Sequence, residues 1–189
     1  MMPKNTKQEL LDFAELAARQ RGYNGFSYAD LADVAGIRKA SIHYHFPTKA
    51  DLSVALMKRY HKRLDAACSE IDISFETGSA KLKELISHYH IASDNGKMLC
   101  LCVSFTSCKD SLSEDTNRHL NKFREMILNW IETYLTQGKK DNSITDIRDA
   151  RNEAYAILAL LEGAHMAARA FNDISVFTQA TSVLLSRCK

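Results

Sequence analysis

The chain has 189 residues, 46% hydrophobic and 25% charged, with 25 Lys and Arg against 23 Asp and Glu, for a formal net charge of +2. That composition is ordinary for a folded globular protein and excludes a disordered, collagen-like or disulfide-dominated chain. The longest apolar runs, such as residues 154–161, fall far short of the roughly 18–20 residues that cross a bilayer, and the opening residues set Glu9 and Asp12 among the apolar ones, unlike a secretory leader. A cytoplasmic protein with no membrane partner is expected.

Five cysteines, Cys68, Cys100, Cys102, Cys108 and Cys188, form no CxxC pair and are odd in number, which suits reduced thiols. With only two prolines, and seven glycines lying mainly between amphipathic segments, little interrupts helix, so the fold class is all-α. Charge is uneven: residues 1–63 hold eleven Lys and Arg against six acids, net +5, and the remainder is net −3. A basic N-terminal part suits an anionic partner, and a solvated basic face accounts for the same count.

The first apolar stripe, Leu10, Leu11, Phe13, Ala14, Ala17 and Ala18, predicts a helix over about 5–21 that stops at Gly22. Ser27 followed by Asp30 resembles a capping box opening a helix over 28–35, which Gly36 ends. A short helix over 39–46 is closed by Pro47, and Thr48 with Asp51 caps a long connecting helix over 49–73. Further helices are expected over 79–93, 98–109, 114–137, 146–170 and 174–187, with caps at Ser79, Ser113, Thr145 and Asp173 and stops at Asn95-Gly96, Gly138 and Asn172-Asp173. The segment 154–171 is apolar around most of its circumference, as in a helix packed on several sides or in a subunit interface.

Ala32, Gly36 and Ile42 stand at the offsets of a helix-turn-helix: a small residue where helices touch, a glycine at the turn, a branched residue anchoring the second helix. The opposite face carries Arg38, Lys39, Ser41, His43 and His45, and a helix this short must be held by its neighbours to be presented. In a major groove, Arg or Lys can bond guanine and Ser can contact several bases.

Residues 26–52, FSYADLADVAGIRKASIHYHFPTKADL, and above all the run from Tyr44 to Lys49, resemble the N-terminal domain of the TetR/AcrR family of transcriptional regulators. The resemblance implies an all-α homodimer with a helix-turn-helix DNA-binding domain at 1–48 and a helical regulatory and dimerisation domain at 49–189, helix four linking the two. It implies a sequence-specific regulator, a repressor by family habit, on a near-palindromic double-stranded operator, dimerised through its last two helices. By position, Ser27, Tyr28, Tyr44 and Lys49 match phosphate-contacting places, and Arg38, Lys39, Ala40, Ser41 and His43 match base-reading or nearby backbone ones. His43 stands where the family usually has an aromatic residue and Arg38 where a small hydroxyl residue is commoner, so the resemblance does not fix the operator sequence.

Family members of this kind usually answer to a small molecule, and Phe105, Phe123, Met126, Trp130, Tyr134, Tyr155, His165, Met166 and Arg169 are candidates to line its pocket, although aromatic and Met residues at helical spacing are more often plain core. Cys100, expected in the first turn of a helix with Lys97 nearby, is the candidate for a lowered thiol pKa, and Cys108, eight residues on, for a resolving thiol. Cys100-Leu101 and residues 112–115 resemble the NemR-like branch, which senses electrophiles and oxidants; there a lysine can lie near the thiol, and Arg169 holds the nearest position here. His88-x-His90 and Cys100-x-Cys102 offer metal ligands, but residues two apart on a helix point about 200° apart, so neither a metal nor a cofactor is expected. The alternatives are an all-α thiol-dependent enzyme, for which no phosphate loop, nucleophile elbow or paired carboxylate speaks, and a helical adaptor that binds no DNA.

Overall fold

The computed structural model describes residues 6–189, all-α throughout. The helices are α1 (Thr6–Arg21), α2 (Tyr28–Ala35), α3 (Lys39–His45), α4 (Lys49–Ser74), α5 (Gly78–Ala92), α6 (Leu101–Thr106), α7 (Glu114–Lys140), α8 (Ala150–Phe171) and α9 (Ser175–Leu185), with single 3-10 turns at Tyr23–Gly25 and Lys109–Ser111. No helix among the described residues is long and apolar enough to cross a membrane.

The chain divides into two compact units, one made of the residues up to His61 with Leu101–Lys122, the other of Lys62–Cys100 with Phe123–Lys189. In the first, Leu10, Ala14 and Ala18 of α1 are fully buried with Ile42, Leu52, Leu56 and Phe105. Arg59 of α4 donates to Asp12 at 2.6 Å, Glu15 at 2.7 Å and the Leu11 carbonyl at 2.9 Å, which fastens α1 to α4. The segment 101–106 joins this core: Ser104 Oγ donates to the Ala18 carbonyl at 2.5 Å, and the Tyr23 ring meets Phe105 edge-on at 5.5 Å.

In the second unit Leu82, Leu85, Ile127, Ile131, Tyr134, Ala154, Leu161, Ala168 and Phe177 form the core. Several boundaries differ from those expected of the sequence. Helix α7 runs through Gly138 to Lys140 because that glycine serves close packing rather than a stop: a Cβ there would lie 2.5 Å from Ile144 Cδ1. Thr77, not Ser79, caps α5; Ser79 is buried, its N–H donating to Ser143 Oγ and its hydroxyl to the Lys189 carbonyl. Asp149, not Thr145, caps α8, since Thr145 is held in a single antiparallel bridge region with Arg187. Helix α6 covers only Leu101–Thr106 of the expected 98–109, the turn at Asp94, Asn95 and Gly96 with positive φ delaying its start.

Candidate nucleic-acid interface

The turn between α2 and α3 is built by Gly36, at φ 63° and ψ 33°, the left-handed region that costs a residue with a Cβ most. Its N–H reaches the Ala32 and Asp33 carbonyls, and the Ile37 N–H donates to Ala32 at 3.1 Å, closing α2. Helix α3 has seven residues, about 10 Å of length, too few to persist alone. Ile42, with no exposed surface, and Phe46, at 2%, hold it against the first unit, and full burial of such a side chain contributes roughly 1.5–3 kcal/mol.

Burying those two turns the remaining side of α3 outward. Arg38, Lys39, Ala40, His43 and Tyr44 are exposed and Ser41 and His45 half-buried; Tyr44 is 84% exposed. Arg38 stands at the N-cap with extended backbone and its side chain makes no cap, and neither it nor Lys39 forms an ion pair among the described residues. Residues Ile37, Arg38, Ala40, Ser41, Tyr44 and His45 line an open hollow of about 530 Å³ along the helix. His43 Nδ1 donates to the Pro47 carbonyl at 3.1 Å while its ring meets Tyr28 edge-on at 4.9 Å.

Three residues matched to phosphate-contacting places are instead engaged within the protein. Ser27 donates its hydroxyl proton to Asp30 at 2.8 Å and its backbone N–H to the same carboxylate at 2.6 Å, completing the capping box. Its hydroxyl therefore keeps no proton for a phosphate. This hydrogen bonding from Ser27 holds the Asp30 carboxyl below its usual range. Tyr28 is buried, and its hydroxyl donates to the carbonyls of Phe46 and Thr48 at 2.9 and 2.6 Å, tying α2 to the end of α3. Burial, then the Asp51 charge, raises its pKa well above the tyrosine value. Lys49 turns inward as well: Nζ donates to the carbonyls of Tyr23 and Phe26 at 2.6 and 2.5 Å and lies over both rings, at 4.6 and 4.3 Å from their centroids. Burial lowers its pKa, against the pull of Cys108 and Asp30. The aromatic pair around Gly25, Tyr23 and Phe26, is the clamp that reading the sequence missed; its only signal was two aromatic residues bracketing a glycine ahead of a helix cap.

Of the sensor candidates, Cys100 is 2% exposed and precedes α6 rather than lying in its first turn. Because α6 ends at Thr106, Cys108 does not continue its face; it is half-buried in the turn that follows, where its thiol faces the carbonyls of Phe105 and Ser104 at 3.4 and 3.7 Å. Burial raises the Cys108 pKa, partly offset by a backbone hydrogen bond from Tyr23 and the Lys49 charge. In the second unit Arg169 donates to the Lys97 carbonyl at 2.5 Å.

The ligand-pocket candidates are dispersed among ordinary packing roles. Phe105 belongs to the first unit. In the second, Phe123 and Tyr134 are core residues, Met126 is half-buried, and Trp130 Nε1 donates to Asp65 at 2.7 Å. His165 Nε2 donates to the Tyr89 carbonyl at 2.8 Å, with its ring 5.1 Å from Phe177. Tyr155 and Met166, at 53% and 54% exposure, face outward. An open hollow of about 970 Å³ in the second unit is edged by Glu76, Asn129, Glu132 and Lys140 and shares none of these residues.

Residues 10–56 match the family described as bacterial regulatory proteins, tetR family. The chain is 30% identical over 141 residues to the HTH-type transcriptional repressor KstR2 of Rhodococcus jostii, covering 72% of this chain and 67% of that one. It is 23% identical over 171 residues to the HTH-type transcriptional repressor NemR of Escherichia coli, covering 87% and 84%. Among solved structures, a TetR-family transcriptional regulator from Agrobacterium tumefaciens superposes with a TM-score of 0.93 at 28% identity over 99% of both chains. The reduced form of Escherichia coli NemR shares the fold, with a TM-score of 0.83 at 20% identity over 98% of both.

Proposed function

Because this chain belongs to the TetR family of bacterial regulatory proteins, DNA-binding regulators of transcription and not enzymes, we propose that it is a homodimeric repressor that seats α3 in the major groove of a near-palindromic operator. The observation that carries this reading is the pair of exposed cations, Arg38 and Lys39, with no ion-pair partner among the described residues, at the N-terminal end of a helix whose other side is buried. Residues at that end of a recognition helix meet base edges. Ala40, Ser41, His43 and Tyr44 complete the contact surface, while Ser27, Tyr28 and Lys49 brace it from behind. Residues 1–48 serve as the DNA-binding domain and 49–189 as the regulatory and dimerising part, acting in the cytoplasm where the operator lies.

Release from the operator, in this reading, follows binding of a small molecule or modification of a cysteine. Cys108, half-buried, is more open to an electrophile than Cys100 at 2% exposure. A mobility-shift assay on the DNA flanking the gene tests both parts. Affinity should fall roughly 10³-fold between 50 and 200 mM salt for six or more phosphate contacts, and Arg38→Ala or Lys39→Ala should cost about 1–3 kcal/mol with relaxed base preference. N-ethylmaleimide should release the native protein and leave Cys108→Ser bound, with Cys100→Ser behaving as native. Indifference of binding to both α3 substitutions rejects the docking; equal release of native protein and Cys108→Ser rejects Cys108 as the sensor.

A further inference from the structure

With Ser27, Tyr28 and Lys49 engaged inside the protein, the Phe46 end of α3 lacks the phosphate partner expected of α4. Lys7 of α1 reaches that end from another side. It precedes Leu10, Leu11 and Ala14, all buried, by three, four and seven residues, so it continues their stripe one turn beyond the core. A lysine in such a place lays its stem along the apolar edge and carries its charge out to water. Its Nζ lies 5.6 Å from the centroid of the Phe46 ring. Phe46 is the C-cap of α3, 2% exposed, and its carbonyl accepts from the Tyr28 hydroxyl at 2.9 Å. The ammonium is thereby placed at the seam where α3 passes into α4. Lys7 is exposed, as are Pro47 and Thr48, the residues that follow Phe46.

The acids of the surrounding elements leave this charge unneutralised. On α1, Asp12 and Glu15 bind Arg59 at 2.6 and 2.7 Å, and Glu9, two residues from Lys7, lies on a different side of the helix. On α2, Asp30 accepts from the Ser27 hydroxyl at 2.8 Å, and Asp33 is exposed beside the turn at Gly36, at the other end of α3 from Phe46. On α4, Asp51 accepts from the Thr48 N–H and hydroxyl at 2.9 and 2.7 Å. No acid occurs over residues 34–50, and Lys7 forms no ion pair among the described residues. Cations thus flank α3 at both ends, Arg38 and Lys39 at its start and Lys7 at its finish. About 10 Å of helix separates them, a span that suits a major groove about 12 Å wide between two rows of phosphate.

We propose that Lys7 of α1 is a positioning residue that grips a backbone phosphate at the Phe46 end of α3, in place of the inward-facing Lys49. This role rests on the operator reading above and concerns backbone phosphate, not base sequence. The ring contact holds the ammonium near its working place before a duplex arrives, which lessens the ordering cost of a long side chain. A cation so placed releases a counterion from the duplex in each head and adds no base preference.

Fluorescence anisotropy of labelled duplexes, the DNA flanking the gene and an unrelated sequence, tests this with the full chain from about 50 to 200 mM salt. Native protein is compared with Lys7→Met, Lys7→Gln and Lys7→Arg. Methionine keeps a flexible stem against Phe46 and removes the charge, and circular dichroism checks that each variant keeps its helices. Lys7→Met and Lys7→Gln should lower the slope of log affinity against log salt by about one per head. Both duplexes should be bound about tenfold more weakly, to the same degree, while Lys7→Arg binds as the native protein does. Lys49→Ala, with the same loss of charge, should leave the slope unchanged. A native slope in Lys7→Met and Lys7→Gln overturns the proposal. So does a loss that Lys7→Arg fails to restore, or one confined to the flanking DNA, the mark of base reading. A slope lowered by Lys49→Ala and not by Lys7→Met returns the contact to Lys49. Native protein that binds neither duplex ends the operator reading and this role with it, an outcome distinct from native binding with unchanged slopes in the variants.

Discussion

Lys49 shows how a residue type at a family position can carry a different task from the one its charge suggests. An ammonium at the start of a helix beside the recognition helix looks made for a phosphate, yet here it donates to two carbonyls and covers two rings. Each charge-assisted hydrogen bond contributes about 1.5–3 kcal/mol, and the carbonyls of Tyr23 and Phe26 would lose their partner without it. Lys49→Ala should therefore lower the unfolding free energy by roughly 2 kcal/mol in urea titration, while the slope of log affinity against log salt stays that of the native protein. A phosphate contact would give the opposite pattern, near-native stability with a slope smaller by about one.

At the scale of elements, the starts of α2 and α4 were legible because their caps are closed locally by a side-chain pair three residues apart. Ser27 with Asp30 and Thr48 with Asp51 are each satisfied within four residues, so their spacing alone announces them. The Asp30 carboxyl is held below the ordinary carboxyl range chiefly by the Ser27 hydroxyl. A carboxyl with a depressed folded pKa contributes stability above its unfolded pKa and loses it as the pH falls through the folded one. Acid titration of unfolding should accordingly show a contribution from Asp30 that fades below about pH 4 and is missing in Asp30→Asn; a pH profile identical in the two proteins would contradict it. The caps of α5 and α8, Thr77 and Asp149, are also local, but the sequence put Ser79 and Thr145 in their place, residues that distant partners hold instead. Gly138 reads as a terminator until Ile144 is seen against it, and Thr145 as a cap until Arg187 is seen to occupy its carbonyl.

For the whole molecule, the outer side of α8 bears on assembly. Tyr155, Ala156, Ala159, Gly163, Met166 and Ala170 recur at helical spacing and are all exposed in the single chain. Phe171 and Val183 add exposed apolar surface at 74% and 67%. Small residues between larger apolar ones suit close approach of a second copy, in line with the proposed dimer through α8 and α9. A Cβ on Gly163 would meet nothing within 4 Å, so Gly163→Arg is tolerated by the chain itself and blocks a partner. Light scattering should find this variant monomeric with native helicity, and its operator affinity should drop by 10²-fold or more, roughly the gain that linking two heads confers. A dimeric Gly163→Arg variant would place the interface elsewhere.

The amino-acid order by itself determined the all-α class, the α2–turn–α3 motif and the outward basic side of α3, because these rest on helical periodicity, one left-handed glycine and caps closed within a few residues. Only the tertiary structure decided that Lys49 and Tyr28 face inward, that Cys100 is buried, and that 101–122 pack with the N-terminal helices. The physical reason is range: a side chain's direction, a thiol's exposure and a carbonyl's partner are settled by atoms dozens of residues away, which no local pattern encodes.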